Sequence, residues 1–583
     1  MINIKEDEKL NILNHSCAHL LAQAVKHLYP NAKFWVGPVI EDGFYYDIDL
    51  GDETLSDEDL VKIEREMKKC SKSDKRIYRE EITKEEALER FSDDPYKLDL
   101  ISRMDEDNTV ISCYTQGDFT DLCRGPHVES TKKMKYFKLL KHSGAYWKGD
   151  SNNKMLQRIY GICFENEEDL NKYLEELEEA KKRDHKKLGK ELGLFMMSEY
   201  GPGFPFFLNN GMIVRNELEN FWYEEHTKEG YEFIKTPIML NKELWELSGH
   251  WKNYRENMYT SEIDDQTFAI KPMNCPGGML VYKNSLHSYK ELPLRVGELG
   301  QVHRHEASGA LNGLFRVRTF TQDDAHIFMT EDQIESEVVR LINFIDRVYS
   351  IFDLTYEIEL STRPEEKYIG DIAIWDKSEK ALQDACHKSG HDCKINPGDG
   401  AFYGPKLDFH IKDSLGRVWQ CGTIQLDMNL PERFDLTYID KDGSKKRPVM
   451  LHRVIFGSIE RFIGILIEHY AGAFPTWLAP VQVNIIPVNN EYHLDYAKEV
   501  YELLKDKNVR VKLDDRNEKL SYKMRESQTM KIPITLVLGD KERDENIISY
   551  RRHGSNKTYS VDKNMFIELL LNEIKNKKSK NQD

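Results

Sequence analysis

The sequence predicts a multidomain chain of mixed helices and strands, on three observations. The first is length: 583 residues, which suggests roughly two to four domains. The second is a shift in charge. From Val481 onward there are 20 Lys and Arg against 17 Asp and Glu, a net of +3, so the preceding 480 residues carry −20 and the whole chain −17. The third is a change of pattern, from helical periodicity near the N-terminus to a long antiparallel hairpin at the centre. With 40% hydrophobic and 31% charged residues and only 19 prolines, the composition is that of a globular protein, not a disordered or fibrous one. No apolar run approaches the ~18–20 residues that a membrane span needs. The opening Met1-Ile2-Asn3-Ile4-Lys5-Glu6-Asp7-Glu8-Lys9 is acidic where a signal peptide would be apolar. Nine irregularly spaced cysteines then read as reduced thiols, and the expected location is the cytoplasm. The negative balance argues against indiscriminate coating of nucleic acid but not against a local basic patch.

From Leu10 to Leu28 the apolar positions Leu10, Leu13, Cys17, Leu20, Leu21, Ala24, Val25 and Leu28 follow a helical period. His15 and His19 share one face of that helix, roughly opposite the apolar stripe. Further on, Asp121-Leu122-Cys123-Arg124-Gly125-Pro126-His127 supplies a second pair, Cys123 and His127, also four apart. The two pairs read either as a Cys-His₃ zinc site or as a metal-free pocket that positions a water and a substrate hydroxyl. Spacing does not decide between them. Lys69-Cys70-Ser71-Lys72-Ser73 imitates the lysine–serine loop of a parallel-sheet nucleotide fold, but the chain lacks its His-x-Gly-His partner and the run reads as solvated charge. A P-loop signature is also missing, so any nucleotide is held by other means. Between Glu165 and Lys190 the sequence is almost wholly polar, Glu-rich early and Lys-rich late. That order suits the helix macrodipole and i,i+4 pairs, and it predicts a solvent-exposed connecting helix.

In the centre, Leu294–Arg304 and Arg316–Phe328 read as two strands around an eleven-residue loop, His305 to Phe315, with Ser-Gly and Asn-Gly turn signals. Arg316, Arg318, Phe320, Gln322, Asp324 and His326 have one parity and so line one face, a polar floor suited to a ligand. Leu451-His452-Arg453-Val454-Ile455-Phe456 reads as a buried strand. It leads into Gly457-Ser458-Ile459-Glu460-Arg461, a glycine-opened helix start that favours an anion.

These residues carry a resemblance. Arg304-His305-Glu306 with Phe315-Arg316 resembles motif 2 of the class II aminoacyl-tRNA synthetases, Gly457–Arg461 resembles motif 3, and the helix before Tyr231–Pro237 resembles motif 1. Lys271-Pro272-Met273-Asn274-Cys275-Pro276, Thr321-Gln322-Asp323-Asp324-Ala325-His326 and His15-Ser16-Cys17-Ala18-His19 are similar to segments of the threonyl-tRNA synthetase family. The likeness runs along essentially the whole chain, which is expected to begin directly at the editing domain, without the small extra domain common in that family. It implies an α+β editing domain (1–165), a connecting helix (166–190), a catalytic domain on an antiparallel sheet (191–478) and an α/β anticodon-binding domain (479–583).

The resemblance also implies chemistry. Threonine is activated with ATP and Mg²⁺, pyrophosphate leaves, and the threonyl group passes to tRNA(Thr). Arg304 takes the α-phosphate and Arg461 the far phosphates, as the planar, permanently charged guanidinium suits. Glu306, Arg316, Gln420 and Ser458 complete the nucleotide site, and His250 matches a histidine implicated in proton transfer. Cys275, His326 and His452 match three ligands of one zinc ion per subunit, which takes the substrate amine and hydroxyl as ligands and rejects valine. Gln322, Asp324, Tyr403 and Gln425 match threonine contacts. Serine evades that filter, so hydrolysis of seryl-tRNA is expected at His15, His19, Lys97, Asp121, Cys123 and His127, a reading without metal. Asn517, Arg525, Lys531, Glu542 and Arg551 match anticodon-reading positions, Lys531 standing where an arginine is common. A homodimer through the motif 1 helix and no membrane partner follow. A prolyl enzyme is disfavoured by the zinc set and the N-terminal motif. A regulatory RNA binder is disfavoured by intact Arg304, Arg461 and Cys275, and a free-standing hydrolase by the complete central segment.

Overall fold

The computed structural model describes residues 3–104, 110–150, 152–366 and 368–578; Met1, Ile2 and the tail beyond Lys578 lie outside the described residues. Two compact units divide the chain, Met1–Glu179 and Ala180–Asp583.

The first unit opens with α1 (Glu8–Leu28), whose N-cap Asp7 accepts the N–H groups of Lys9 and Leu10. In chain order follow β1 (Gly43–Asp49), α2 (Asp57–Lys72), β2 (Ile77–Ile82), α3 (Pro95–Ser102), β3 (Ile111–Gln116), β4 (Phe119–Leu122), β5 (Tyr136–Tyr146), β6 (Met155–Phe164) and α4 (Glu167–Arg183). Strands β1, β6 and β5 form one antiparallel sheet with a short edge strand at Lys33–Phe34. A second antiparallel sheet, β2-β3-β4, stands apart from it. From Ser16 to Val25 every residue of α1 is buried. His15 and His19 do point off the apolar stripe, into a cavity, but that face is covered: His15 is half-buried and His19 is 4% exposed, with the His127 ring centre 4.4 Å and the Phe119 ring centre 6.5 Å from its own. The Lys69–Ser73 run is the end of α2 with Cys70 and Ser71 buried, so it is not simply solvated. Nor is α4 wholly exposed, since Leu170 and Tyr173 join the core of the first unit.

The connecting segment also breaks. α4 stops at Arg183, and Asp184 caps a new helix, α5 (His185–Glu191). The second unit continues with α6 (Asn209–Lys228), β7 (Glu232–Phe233), α7 (Cys275–Lys283), β8 (Leu294–His303), β9 (Thr319–Met329), α8 (Ile334–Ile351), β10 (Thr355–Ser361), α9 (Ile372–Lys388), β11 (Cys393–Asn396), β12 (Lys406–Lys412), β13 (Val418–Asp427), β14 (Val449–Val454) and α10 (Ile459–His469). Its sheet has the order β7-β8-β9-β14-β13-β12-β10-β11. The six inner strands are antiparallel and each edge strand is parallel to its neighbour. Apolar residues of α8 and α10 pack on it to form the largest core.

The hairpin is shorter than the sequence suggested. Its register runs from Leu294 opposite Phe328 to His303 opposite Thr319, leaving 304–318 as loop. Arg316 and Arg318 are thus off the strand. The cause is local: Arg318 donates to the Glu306 carbonyl from Nε (3.0 Å) and Nη2 (2.8 Å), and Arg316 Nε donates to the Glu306 carboxylate at 2.9 Å. These bonds fold the loop on itself beyond the Arg304 N–H to Arg318 carbonyl bond (2.9 Å) that ends the pairing.

The chain ends in β15 (Val483–Pro487), α11 (Asn490–Asp506), β16 (Val511–Leu513), α12 (Leu520–Thr529), β17 (Ile534–Leu538), α13 (Asp540–Glu545), β18 (Ile547–Arg552), β19 (Thr558–Asp562) and α14 (Lys563–Lys575). The sheet order is β16-β15-β17-β18-β19, with the first three strands parallel. Parallel pairing requires helical crossovers, which α11 and α12 supply. The chain therefore has the three-part α+β, antiparallel-sheet and α/β architecture.

Candidate functional site

The second unit holds a cavity of about 450 Å³ between the loop 304–318, strand β13 and the start of α10. Its lining includes Arg304, Glu306, Arg316, Gln420, Ser458 and Arg461, all six residues expected at a nucleotide site, and Gln322 beside them. Arg304 is aimed by its surroundings: Nε donates to the Pro272 carbonyl at 3.1 Å, and the guanidinium lies 5.1 Å from the Phe320 ring centre. Ser458 is the N-cap of α10, its Oγ accepting the Arg461 N–H at 3.2 Å. The free N–H groups of that helix start add to the positive potential of the arginines. Gly457 has a φ of +78°, and a β-carbon there would lie 2.7 Å from the Cys421 carbonyl oxygen. Only glycine fits so tight a strand-to-helix turn.

Behind this turn stands a residue that sequence reading passed over. The Asp323 carboxylate accepts the N–H groups of Ile455 (2.8 Å), Phe456 (3.0 Å) and Gly457 (2.8 Å). Its signal was parity: as neighbour of Asp324 it had to face the opposite, buried side, where a carboxylate needs several donors. Asp408 is a second omission, accepting from Gln420 Nε2 (2.7 Å) and Thr423 Oγ1 (3.1 Å) and so orienting the glutamine.

Next to the cavity, cross-strand register sets His326 opposite His452 and His452 opposite Gln425, one row across β9, β14 and β13. The two imidazole centres are 5.2 Å apart, and the Tyr403 ring centre lies 5.3 Å from His452. His452 Nε2 meets Asp427 Oδ2 at 2.8 Å, another partner invisible in sequence. Cys275 opens α7 and is 3% exposed; burial and the Asp324 and Asp427 carboxylates hold its thiol pKa well above the ordinary value. His250 Nε2 stands 3.8 Å from its sulfur, and Nδ1 meets Ser248 Oγ at 2.8 Å. Burial, then His452 and Arg304, bring the His250 pKa down to about 4. Asp324 accepts from Asn274 Nδ2 at 3.2 Å. His326 Nε2, Asn274 Oδ1, Gln322 Oε1 and Arg461 Nε are buried and make no hydrogen bond. Unpaired buried polar atoms are rare in a fold; Gln322 and Arg461 line the central cavity, and Asn274 bonds Asp324 two residues from His326. A thiol with two imidazoles is a donor set that suits zinc and leaves further coordination positions. Among the described residues, however, the side chains whose donor atoms all lie within 4.8 Å of one another are His15, His19, Cys123 and His127; His27, Glu66 and Cys70; and Asp184, His185 and Glu468, not this trio.

The first unit has a cavity of about 470 Å³ lined by His15, His19, Lys97, Asp121 and Cys123 among others. Cys123 Sγ lies 3.2 Å from both His15 Nε2 and His127 Nε2, so the four Cys and His residues meet as the spacing suggested. Burial lowers the pKa of all three histidines, that of His19 and His127 strongly. Burial pushes the Cys123 thiol up to about 12. Lys97 Nζ pairs with Asp121 Oδ1 at 2.6 Å, both side chains nearly inaccessible, and Tyr46 donates to the other Asp121 oxygen. Ser16, unnoticed in its motif, accepts the Val128 N–H at 3.0 Å and stands 3.1 Å from His127 Nδ1.

The C-terminal candidates are spread out. Asn517 and Arg525 are exposed, before and on α12. Lys531 follows that helix with a φ of +57° and lines a small cavity with Leu192, Leu194 and Met530. Arg551 is on β18 and donates to Thr558 Oγ1 at 2.9 Å. Glu542 accepts the Gly539 N–H (2.9 Å) and the Ser549 hydroxyl (2.6 Å), so its carboxylate already has partners.

Three family models match the chain: the tRNA synthetase class II core domain (G, H, P, S and T) at residues 259–470, an anticodon binding domain at 482–573, and the threonyl and alanyl tRNA synthetase second additional domain at 111–160. A threonine–tRNA ligase of Fusobacterium nucleatum is 59% identical over 98% of this chain and 92% of its own length. One from Clostridioides difficile is 57% identical over 100% of this chain and 91% of its own. Among solved structures, the RNA binding domain of threonyl-tRNA synthetase from Cryptosporidium parvum aligns with a TM-score of 0.64 and 38% identity, covering 67% of this chain and 98% of that one.

Proposed function

The chain belongs to the threonine–tRNA ligase family, and from that premise we propose how its residues carry the reaction. The enzyme activates threonine with ATP, releases pyrophosphate and charges the tRNA 3′ end. The observation that carries this reading is the arginine-lined cavity at the start of α10. Attack on the α-phosphate asks the protein for position and fixed positive charge. Arg304 meets the α-phosphate, Arg461 the far phosphates, and Arg316 with Glu306 brackets the base. Gln420, held by Asp408, and Ser458 complete the nucleotide contacts, and Mg²⁺ accompanies the phosphates. His250, kept neutral by burial, accepts a proton at the transfer step. Threonine-dependent ATP–pyrophosphate exchange is the test, and exchange driven by another amino acid would overturn the assignment.

Valine is nearly isosteric with threonine, and an apolar pocket separates them by only about 10²-fold. Cys275, His326 and His452 would hold zinc, which when bound supplies a Lewis acid for the substrate amine and hydroxyl. The His326 Nε2, buried without a hydrogen bond, and the soft donor set support this. Gln322, Asp324, Tyr403 and Gln425 orient the amino acid. Purified protein is expected to contain about one zinc per chain; Cys275→Ser should lose the metal, while His15→Ala should keep it. Retention in the first variant and loss in the second would put the metal in the N-terminal cluster.

Serine lacks only a methyl, worth about 1–3 kcal/mol, so a second site must remove it from tRNA. His15, His19, Cys123 and His127 line that site, with Lys97 and Asp121 as its buried ion pair. Because Cys123 stays protonated, the neutral histidines and not a thiolate activate water. Asn517, Arg525, Lys531 and Arg551 contact the anticodon region, and Glu542 acts by holding the Gly539 turn. We assign 1–165 to editing, 166–190 to the connection, 191–478 to catalysis and 479–583 to anticodon binding. Exposed Phe206, Leu208, Met212, Tyr223 and Phe233 near α6 support a homodimer, which light scattering would test. No helix among the described residues is long and apolar enough to cross a membrane.

A further inference from the structure

His185, the first residue of α5, has no part in the scheme above, yet it is 1% exposed and both ring nitrogens are engaged. The backbone N–H of Leu314 lies 3.0 Å from Nε2. A backbone amide only donates, so Nε2 is the unprotonated nitrogen and Nδ1 carries the proton. That proton goes to Glu468 Oε1 at 2.7 Å, and the same oxygen accepts the His185 backbone N–H at 3.0 Å. The other Glu468 oxygen is ion-paired with Arg417 at 2.5 Å. Asp184, His185 and Glu468 are close enough together for a metal, but the ring has no lone pair left to give one.

The histidine instead grips the tip of the loop 304–318. The Phe315 ring lies 4.0 Å from the imidazole, centre to centre. Gly313 has a φ of +49°, and a β-carbon there would fall 2.1 Å from His185 Nε2, so the glycine makes room for the ring. Gly464 of α10 likewise leaves space for Phe315, and Lys186 Nζ donates to Asn312 Oδ1 at 3.2 Å. One helix therefore serves two ends of the arrangement. Ser458 and Arg461, at the start of α10, line the central cavity; Gly464 and Glu468, further along, seat Phe315 and His185. Leu314, Phe315 and Arg316 line that same cavity.

We propose that His185 is a positioning residue for ATP: its Nε2 fixes the tip of the 304–318 loop so that Phe315 and Arg316 face the nucleotide. The inference rests on reading the central cavity as the ATP site. Holding the loop in advance removes an ordering cost that nucleotide binding would otherwise bear. Among the described residues no hydrogen bond, ion pair or ring contact joins His185 to the row of His326, His452 and Gln425, so threonine recognition is not expected to follow.

The test uses the full chain, with ATP affinity measured by calorimetry and pyrophosphate exchange measured as ATP and threonine are varied separately. His185→Asn keeps an N–H donor toward Glu468 but offers Leu314 no acceptor. His185→Gln reverses this, carrying its carbonyl out to the Nε2 position. Loss of the Leu314 bond is expected to weaken ATP about ten-fold in His185→Asn, while His185→Gln stays within about three-fold of the parent. The threonine KM should stay unchanged in both. Gly313→Ala should resemble His185→Asn, because its β-carbon displaces the ring. Equal ATP affinity in the parent and His185→Asn overturns the proposal. So does a joint rise in both KM values with equal loss of melting temperature in Asn and Gln variants, which would mean that the ring only fills space. A parent that binds ATP but exchanges with a different amino acid overturns the assigned reaction, and the Asn–Gln contrast in ATP affinity still decides this inference.

Discussion

The central and N-terminal cavities are nearly equal in size, about 450 and 470 Å³, but their electrostatics differ. In the first, three arginines and a helix start supply positive charge that no physiological pH removes. In the second, burial lowers the pKa of His15, His19 and His127 and raises that of Cys123, while Lys97 and Asp121 cancel each other. The contrast fits the two reactions proposed for these cavities. Phosphoryl chemistry develops negative charge and needs counter-charge fixed in advance. Ester hydrolysis by water needs a group able to take up and return a proton, and a neutral imidazole does this where a guanidinium does not.

The largest expected effect is confined to the N-terminal cavity. His19→Ala should slow hydrolysis of preformed seryl-tRNA by about 10²- to 10⁴-fold, the range for a positioned acid–base group. Threonine-dependent exchange should remain at the parent rate. Because His19 is buried, the variant will also lose some stability; a loss of exchange as well would show that the two cavities are not functionally separate. Arg304→Ala should do the converse, reducing adenylate formation by about 10²- to 10³-fold and leaving seryl-tRNA hydrolysis intact. Near-normal exchange in that variant would remove the fixed-charge half of the contrast.

A smaller effect tests the proton-exchanging half. The folded-state pKa values of His15, His19 and His127 lie below the unfolded value, so below about pH 6.5 the unfolded chain binds protons that the native cluster does not. Their contribution to stability is present above that pH and is lost as pH falls. Each histidine concerned adds at most about 1.4 kcal/mol per pH unit. Thermal unfolding of the first unit should thus show acid lability that His19→Gln reduces. An unchanged pH slope in that variant would mean that His19 carries a proton in the fold. His27 offers the opposite case in the same unit: burial opposes its charge, but hydrogen bonds to Asp118 and Glu66 raise its pKa. Its contribution is present below the unfolded pKa and fades as pH rises, and at this exposed position it should be the smallest effect, less than about 1 kcal/mol.

What the sequence by itself determined was whatever is encoded over short distances. The helical period of α1, the spacing of His15 with His19 and of Cys123 with His127, the glycine-led start of α10 and the arginines on either side of the central loop were all legible there. Each depends on a few neighbouring residues and on the geometry of one element. Even so, local reading missed what a third body adds: His127 and Phe119 cover the His19 face of α1, and the Glu306 bonds turn the Arg316 and Arg318 side chains onto the loop. The tertiary structure alone decided which distant side chains share a site. His326, His452 and Gln425 form a row only because three strands pair in one register. Asp323 reaches the N–H groups of 455–457 only because β9 lies beside β14. His185 meets Leu314 and Glu468 only after a loop and a helix pack against the start of α5. Periodicity tells a residue which way to face within its own element. Register and packing, which sum interactions over the whole core, decide what it faces.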